Sequence, residues 1–333
     1  MTRSLIFSSV VLFFSAVSPA QPGKDQGQAK QLAIGILGLD TSHVVAFTKV
    51  FNDPKASGDL ATMRVVAGYP GGTDIPASKN RVQGFTRQLA GMGVEIVDSV
   101  PALLSRVDAV LLESVDGRPH LAQARQVIEA GKPVFIDKPL AGTLEDVLAI
   151  DALARQHRVP WFSSSALRFG PSVPKGIGEI TGCDAWGPCA LEPTHPDLFW
   201  YGIHGVESLF TVLGPGCVSV TRSKTSGSDL VTGVWRDGRI GTFRGLRIGK
   251  AGHGATVFGM RGVAKRGEYR SYEPLVVEIA RFFRTGRAPV DPSVTIEIYA
   301  FMVAAQESSQ TGSKSVTLAS VLANARRANK RRR

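Results

Sequence analysis

What this chain has little of narrows it first. Only three of its 333 residues are cysteine, Cys183, Cys189 and Cys217, and their spacing matches none of the common zinc patterns. No metal site is therefore expected. After the first 20 residues no stretch offers 18 consecutive apolar residues, which excludes a membrane-spanning helix there. No repeat or low-complexity tract is present, so repeat architectures are excluded as well. The basic C-terminus has no interleaved aromatics, which removes the stacking surface that nucleic-acid binding uses.

What is present is a chain with 43% apolar and 20% charged residues, enough for two domains with their own cores. Residues 1–20 read as a signal peptide. Arg3 gives a positive start, Leu5 to Val17 is an apolar stretch, and Ser18-Pro19-Ala20 offers small residues for cleavage. There is no twin arginine and no cysteine near the cut, so the general export route without a lipid anchor is expected. The mature chain is then periplasmic or secreted, with a solvated linker over residues 21–31. The net charge is +11, and residues 326–333 contribute six of those charges; residues 323–333 read as a basic tail, solvated or lying on an anionic surface. An exported chain can join Cys183 to Cys189, the closest pair, or keep its thiols free.

From Leu32 short apolar runs alternate with amphipathic stretches, the pattern of βαβ units. Strands are expected at 32–39, 63–69, 107–115 and 132–140, and 159–169 closes this half. Asp40-Thr41-Ser42 are placed to cap a helix near His43. A helix is expected over 119–130 with Gly131 as its C-cap, and Thr143 with Asp146 forms a capping box for a helix running to His157. Residues 221–246 read as short strands around a turn at Arg236–Arg239, followed by helices over 273–285 and 293–310. The expected fold is α/β: a Rossmann-like doubly wound parallel sheet over 32–160, then an α+β domain over 161–322 with a largely antiparallel open sheet.

Several segments carry a resemblance in the correct order. Asp137-Lys138-Pro139-Leu140, Ala166-Leu167-Arg168-Phe169-Gly170-Pro171, Glu113-Ser114-Val115-Asp116 with His120, His204-Gly205-Val206-Glu207 through Gly214, and Ala304 through Gly312 align along the chain. Through them it resembles the glucose–fructose oxidoreductase / inositol dehydrogenase / MocA (Gfo/Idh/MocA) family, in an exported, planctomycete-like branch. The resemblance implies hydride transfer between NAD or NADP and a sugar, polyol or related carbohydrate. It puts Lys138 beside the nicotinamide, polarising the reacting oxygen, and His204 at the hydroxyl proton; a lysine charge and a titratable imidazole suit those tasks. Gly38, Asp40, Thr41, Ser42, His43, Ser114, Lys138 and Arg168 would border the cofactor. Trp200, Tyr201 and Glu207 would meet the substrate, with Trp161 as a further stacking aromatic. A homo-oligomer through the C-terminal sheet is expected.

The residues also depart from that pattern. The dinucleotide fingerprint falls on Gly38-Leu39-Asp40-Thr41-Ser42-His43, where only the first glycine survives. A carboxylate at Asp40 brings bulk and negative charge to the place of the pyrophosphate; at about 4 Å and an effective dielectric near 20, each like-charge pair costs roughly 4 kcal/mol. Gly68, Tyr69 and Pro70 stand where a ribose-binding acid is expected, and Lys79 and Arg81 are the basic residues available for a 2′-phosphate. Trp200 replaces an aspartate four residues before His204, leaving Asp197 and Glu207 as the carboxylates able to orient the imidazole. A second reading follows: a non-catalytic exported relative that binds a carbohydrate or other small ligand in the inter-domain cleft.

Overall fold

The alternating runs of the first half become a six-stranded sheet in the computed structural model, which describes residues 31–173, 175–250, 252–267 and 269–332. The leader and linker expected before Leu32 lie, but for Gln31, outside the described residues. The strands are β1 (Leu32–Leu37), β2 (Met63–Tyr69), β3 (Glu95–Ile96), β4 (Ala109–Leu112), β5 (Val134–Ile136) and β6 (Trp161–Phe162). Every pairing is parallel, in the order β3-β2-β1-β4-β5-β6. This is the doubly wound arrangement, and its strand order reverses between β1 and β4. β4 and β5 are buried along their whole length, as expected of parallel strands with both faces covered. Of the run 107–115 only Ala109–Leu112 is strand, and beyond it Val115 gives its N–H to the Asp40 side chain. The Thr143 cap forms as expected, accepting from Asp146 N at 3.1 Å at the head of the helix Leu144–His157.

The second sheet contains β7 (Ile180–Pro188), β8 (Cys217–Lys224), β9 (Ser228–Trp235), β10 (Ile240–Leu246), β11 (Gly254–Gly259), β12 (Gly262–Arg266) and β13 (Val316–Thr317). Its order is β12-β11-β7-β10-β9-β8-β13, antiparallel except for β7 with β10. The helices Ile203–Leu213 and Pro292–Gln310 bury their apolar sides against one face. The first comes very close: a Cβ on Gly205 would stand 2.0 Å from the Phe243 ring. Ile240, Met260 and Val263 remain 53%, 72% and 63% exposed, so part of this sheet's apolar surface is uncovered.

The two halves interleave. The helix Glu273–Thr285 follows the second sheet in sequence, yet its Phe282 packs edge-on against Phe162 of the first at 4.9 Å, continuing a ring stack to Phe135 at 5.0 Å. From Gln31 onward the chain is one compact unit. One expectation needs correcting, and one left open is decided. The basic tail over 323–333 is, as far as Arg332, the greater part of a helix, Leu318–Arg332. Its Leu318, Val321 and Ala325 are buried, Asn329 donates to Glu145 O at 2.8 Å and Arg332 pairs with Asp146 at 3.1 Å. The i, i+3, i+7 apolar stripe there outweighs the surrounding charge. Cys183 and Cys189 do not pair; all three thiols are free and buried, and burial pushes each up to about 12.

The Gly205 contact gives a test of this packing. Gly205→Val drives methyl groups into Phe243 and is expected to lower stability by about 1–3 kcal/mol, read as a lower denaturant midpoint. An unchanged midpoint would show that the helix does not sit this close to β10.

Candidate functional site

The carboxyl ends of β1, β4 and β5 open into a cleft of about 480 Å³, at the edge where doubly wound sheets bind ligands. Thr41, Ser42 and His43 line it from the start of the helix His43–Phe51, Asp137 and Lys138 from the end of β5, and Ser165 from the turn after β6. Trp200, Tyr201, His204, His253, Tyr269 and Tyr272 close it from the second half. A groove of about 690 Å³ shares no lining residue with this cleft; Trp161 lines that groove and so does not serve the cleft as a stacking aromatic.

Asp40 does not stand where the sequence placed it. Its carboxylate is fully buried and absent from the cleft lining; one oxygen accepts from Val115 N at 2.8 Å and the other from Ser78 Oγ at 2.6 Å. Burial raises its pKa, against the pull of those two bonds and of Arg81. The like charge expected in the pyrophosphate position is therefore turned into the protein. Gly38, with φ +91°, is kept for packing, since a Cβ there would stand 2.3 Å from Ser114 Oγ. Ser114 is buried beneath it and donates to Gln123 at 3.0 Å, so neither residue reaches the cleft. Where a ribose-binding acid was missing, the backbone has closed up: Gly38 and Leu39 donate to Tyr69 O at 3.0 Å and Pro70 O at 2.7 Å.

An anion still finds complements at the mouth. The helix His43–Phe51 has no side-chain cap and no acid in its first turn, leaving its N-terminal dipole to Thr41, Ser42 and an incoming ligand. Arg81 lines the same wall. This donor set fits the phosphates of a dinucleotide.

Lys138 and His204 meet around Tyr201. The Lys138 ammonium sits 5.8 Å from the Tyr201 ring centroid, and the His204 ring lies edge-on to that ring at 5.1 Å. Burial lowers the Lys138 pKa, with Asp137 opposing and Arg81 adding to the fall. His204 Nδ1 lies 2.7 Å from Ser165 Oγ, which also accepts from Leu167 N at 3.2 Å. Burial, then the charges of Lys138, His253 and His43, hold His204 well below its usual value and so neutral. A hydroxyl donates as well as accepts, so Ser165 can support either imidazole tautomer, with Nε2 left for a ligand.

Ser165, and not a carboxylate, orients the imidazole. Glu207 is buried away from the cleft, accepting from Ser164 Oγ at 3.0 Å and pairing with Arg168. Arg168 and Glu207, expected at the cofactor and the substrate, are thus spent on each other. Asp197 pairs with Arg222 at 2.9 Å and Lys224 at 2.5 Å. Sequence reasoning passed over Ser165, His253, Tyr269 and Tyr272; they lie in loops or at helix starts of the second half, where no periodicity marks a residue that turns back to the first sheet.

This geometry defines a class, an α/β protein whose ligand cleft lies at a doubly wound switch point and carries a lysine–histidine pair. A family model described as an oxidoreductase family with an NAD-binding Rossmann fold, Gfo/Idh/MocA, matches residues 77–164. Over that segment, which carries β4, β5 and β6, the chain is similar to the Gfo/Idh/MocA family. Scyllo-inositol dehydrogenase from Lactobacillus casei, solved with NAD(H) and scyllo-inositol, superposes with a TM-score of 0.69 at 15% identity, covering 87% of this chain and 100% of that one. An oxidoreductase from Agrobacterium radiobacter in complex with NAD+, L-tartaric acid and magnesium gives 0.70 at 14% identity, over 88% and 100%. An oxidoreductase from Thermotoga maritima gives 0.71 at 15%, over 87% and 99%. At these identities the likeness is one of fold. No curated protein sequence matches the chain.

The His204 environment carries a pH signature. Its folded pKa lies below the unfolded value of about 6.5, so the native state binds fewer protons and loses stability as pH falls through and below 6.5. Between pH 7.5 and pH 5.5 the wild type is expected to lose more thermal stability than His204→Gln. Equal losses would place His204 in a solvated setting.

Proposed function

We propose that this protein oxidises a hydroxyl-bearing carbon of a sugar, polyol or related carbohydrate, or reduces the corresponding carbonyl, with NAD or NADP. The observation that carries this reading is the convergence of Lys138 and His204 on one cleft at the carboxyl edge of the sheet. The nicotinamide, when bound, accepts or returns the hydride. Thr41, Ser42 and Arg81 would hold its phosphates. Lys138 stabilises negative charge developing on the reacting oxygen. His204, kept neutral and steadied by Ser165, takes the hydroxyl proton at Nε2 during oxidation and returns it in reduction. Trp200 and Tyr201 offer ring faces to a sugar.

Two further parts of the proposal concern the protein's setting. The leader-like residues 1–20 support export. The exposed Ile240 and Val263 of the second sheet, with Met260 in the turn between β11 and β12, support a homo-oligomer built on that sheet.

The test is thermal and kinetic. Millimolar NAD(H) or NADP(H) should raise the melting temperature of the mature protein, and a panel of sugars and polyols should give nicotinamide turnover. Lys138→Met should lower kcat/KM about 100- to 1,000-fold while leaving folding intact. A shift with a sugar but with neither nucleotide would replace this reading by that of a non-catalytic carbohydrate binder.

A further inference from the structure

The floor of the cleft holds an arrangement that hydride transfer does not use. Glu113, from the residue after β4, is fully buried, and neither of its carboxylate oxygens has a hydrogen-bond partner. One of them lies 3.9 Å from His43 Nδ1, and the same nitrogen lies 2.7 Å from Asp137 Oδ2. One donor atom from each of the three residues falls within 4.8 Å of the others.

Two carboxylates in one dry place repel, and each pays for its lost hydration unless something replaces it. Lys138 supplies charge nearby, and its backbone N–H reaches Asp137, but neither Glu113 oxygen gains a hydrogen bond. Protonating Glu113 removes its charge and still leaves an O–H and a carbonyl oxygen without partners. A cation meets both needs, neutralising the pair and taking up the orphaned oxygens.

We propose that His43, Glu113 and Asp137 bind a divalent transition-metal ion on the floor of the cleft. With metal–ligand bonds of about 2.0–2.2 Å, neighbouring donor atoms stand roughly 3–3.5 Å apart. The 2.7 Å and 3.9 Å separations bracket that spacing, so small side-chain shifts complete the site. One imidazole with two carboxylates suits Zn²⁺ or Mn²⁺ better than Ca²⁺ or a soft ion. Three protein ligands leave coordination positions open, and His43 and Asp137 both line the cleft. The chemistry that would fill those positions is a bidentate oxygen ligand, such as vicinal hydroxyls or a 2-hydroxy carboxylate. Metal binding here does not rest on the hydride-transfer reading, and its test contains no nucleotide and no sugar.

The mature protein, stripped with a chelator and dialysed, is titrated calorimetrically with ZnCl₂ and separately with MnCl₂. One equivalent of at least one metal should bind, and Glu113→Gln should weaken it about 100-fold or more with an unchanged circular dichroism spectrum. His157→Gln, at an exposed histidine outside the cluster, should bind as the wild type does. If Glu113→Gln fails to fold, His43→Gln decides the matter by the same criterion. Absence of stoichiometric binding to the wild type, or binding undiminished in the folded cluster variant, overturns the proposal.

Discussion

The structure turns on a problem of parallel sheets: the carboxyl ends of β1, β4 and β5 bring Asp40, Glu113 and Asp137 close together out of water. Each acid meets this differently. Asp40 is satisfied by a backbone amide and a serine hydroxyl. For Asp137 burial alone would raise the pKa, but the charge and hydrogen bond of His43 hold it down. Burial and the Asp137 charge instead drive Glu113 well above the usual carboxylate range against the pull of the Lys138 charge, and no hydrogen bond reaches its oxygens. The polarity of the cleft, and the positions of Lys138 and His43, follow from how these three acids are accommodated.

Asp40 shows how a motif can be altered without abolishing the geometry it served. Read along the sequence, a carboxylate in a glycine fingerprint opposes a phosphate. Folded, the same carboxylate takes the Val115 amide and fastens the loop after β4 to the loop after β1. The first turn of the helix beside it contributes no acid of its own and no side-chain cap. A side chain that would repel the ligand if exposed becomes part of the scaffold once buried.

Much of the fold was legible because its signals are local. Val110, Leu111 and Leu112 form a buried run of strand length, Thr143 and Asp146 cap a helix, and the turn at Arg236–Arg239 joins two strands, all as the sequence indicates. The C-terminal helix was missed because its five terminal charges hid the stripe at Leu318, Val321 and Ala325. At the site, the motif-borne Lys138 and His204 were legible. The roles of Ser165, Glu207 and Arg168 were not, since they depend on which way a side chain turns after a strand ends. The convergence of His43, Glu113 and Asp137 was invisible for a related reason: they follow three separate strands, and no spacing in the chain records that β1, β4 and β5 are neighbours.

The helix Glu273–Thr285, lying against Phe162 of the opposite half, bears on how a ligand gets in and out. Together with the helix Leu318–Arg332 on the helix Leu144–His157, it straps the two sheets along both flanks. Rigid-body swinging of one half away from the other would tear aromatic packing on one side and the Asn329 and Arg332 contacts on the other. Admission to the cleft then falls to its entrance, which Trp200, Tyr201, His253 and Tyr269 line.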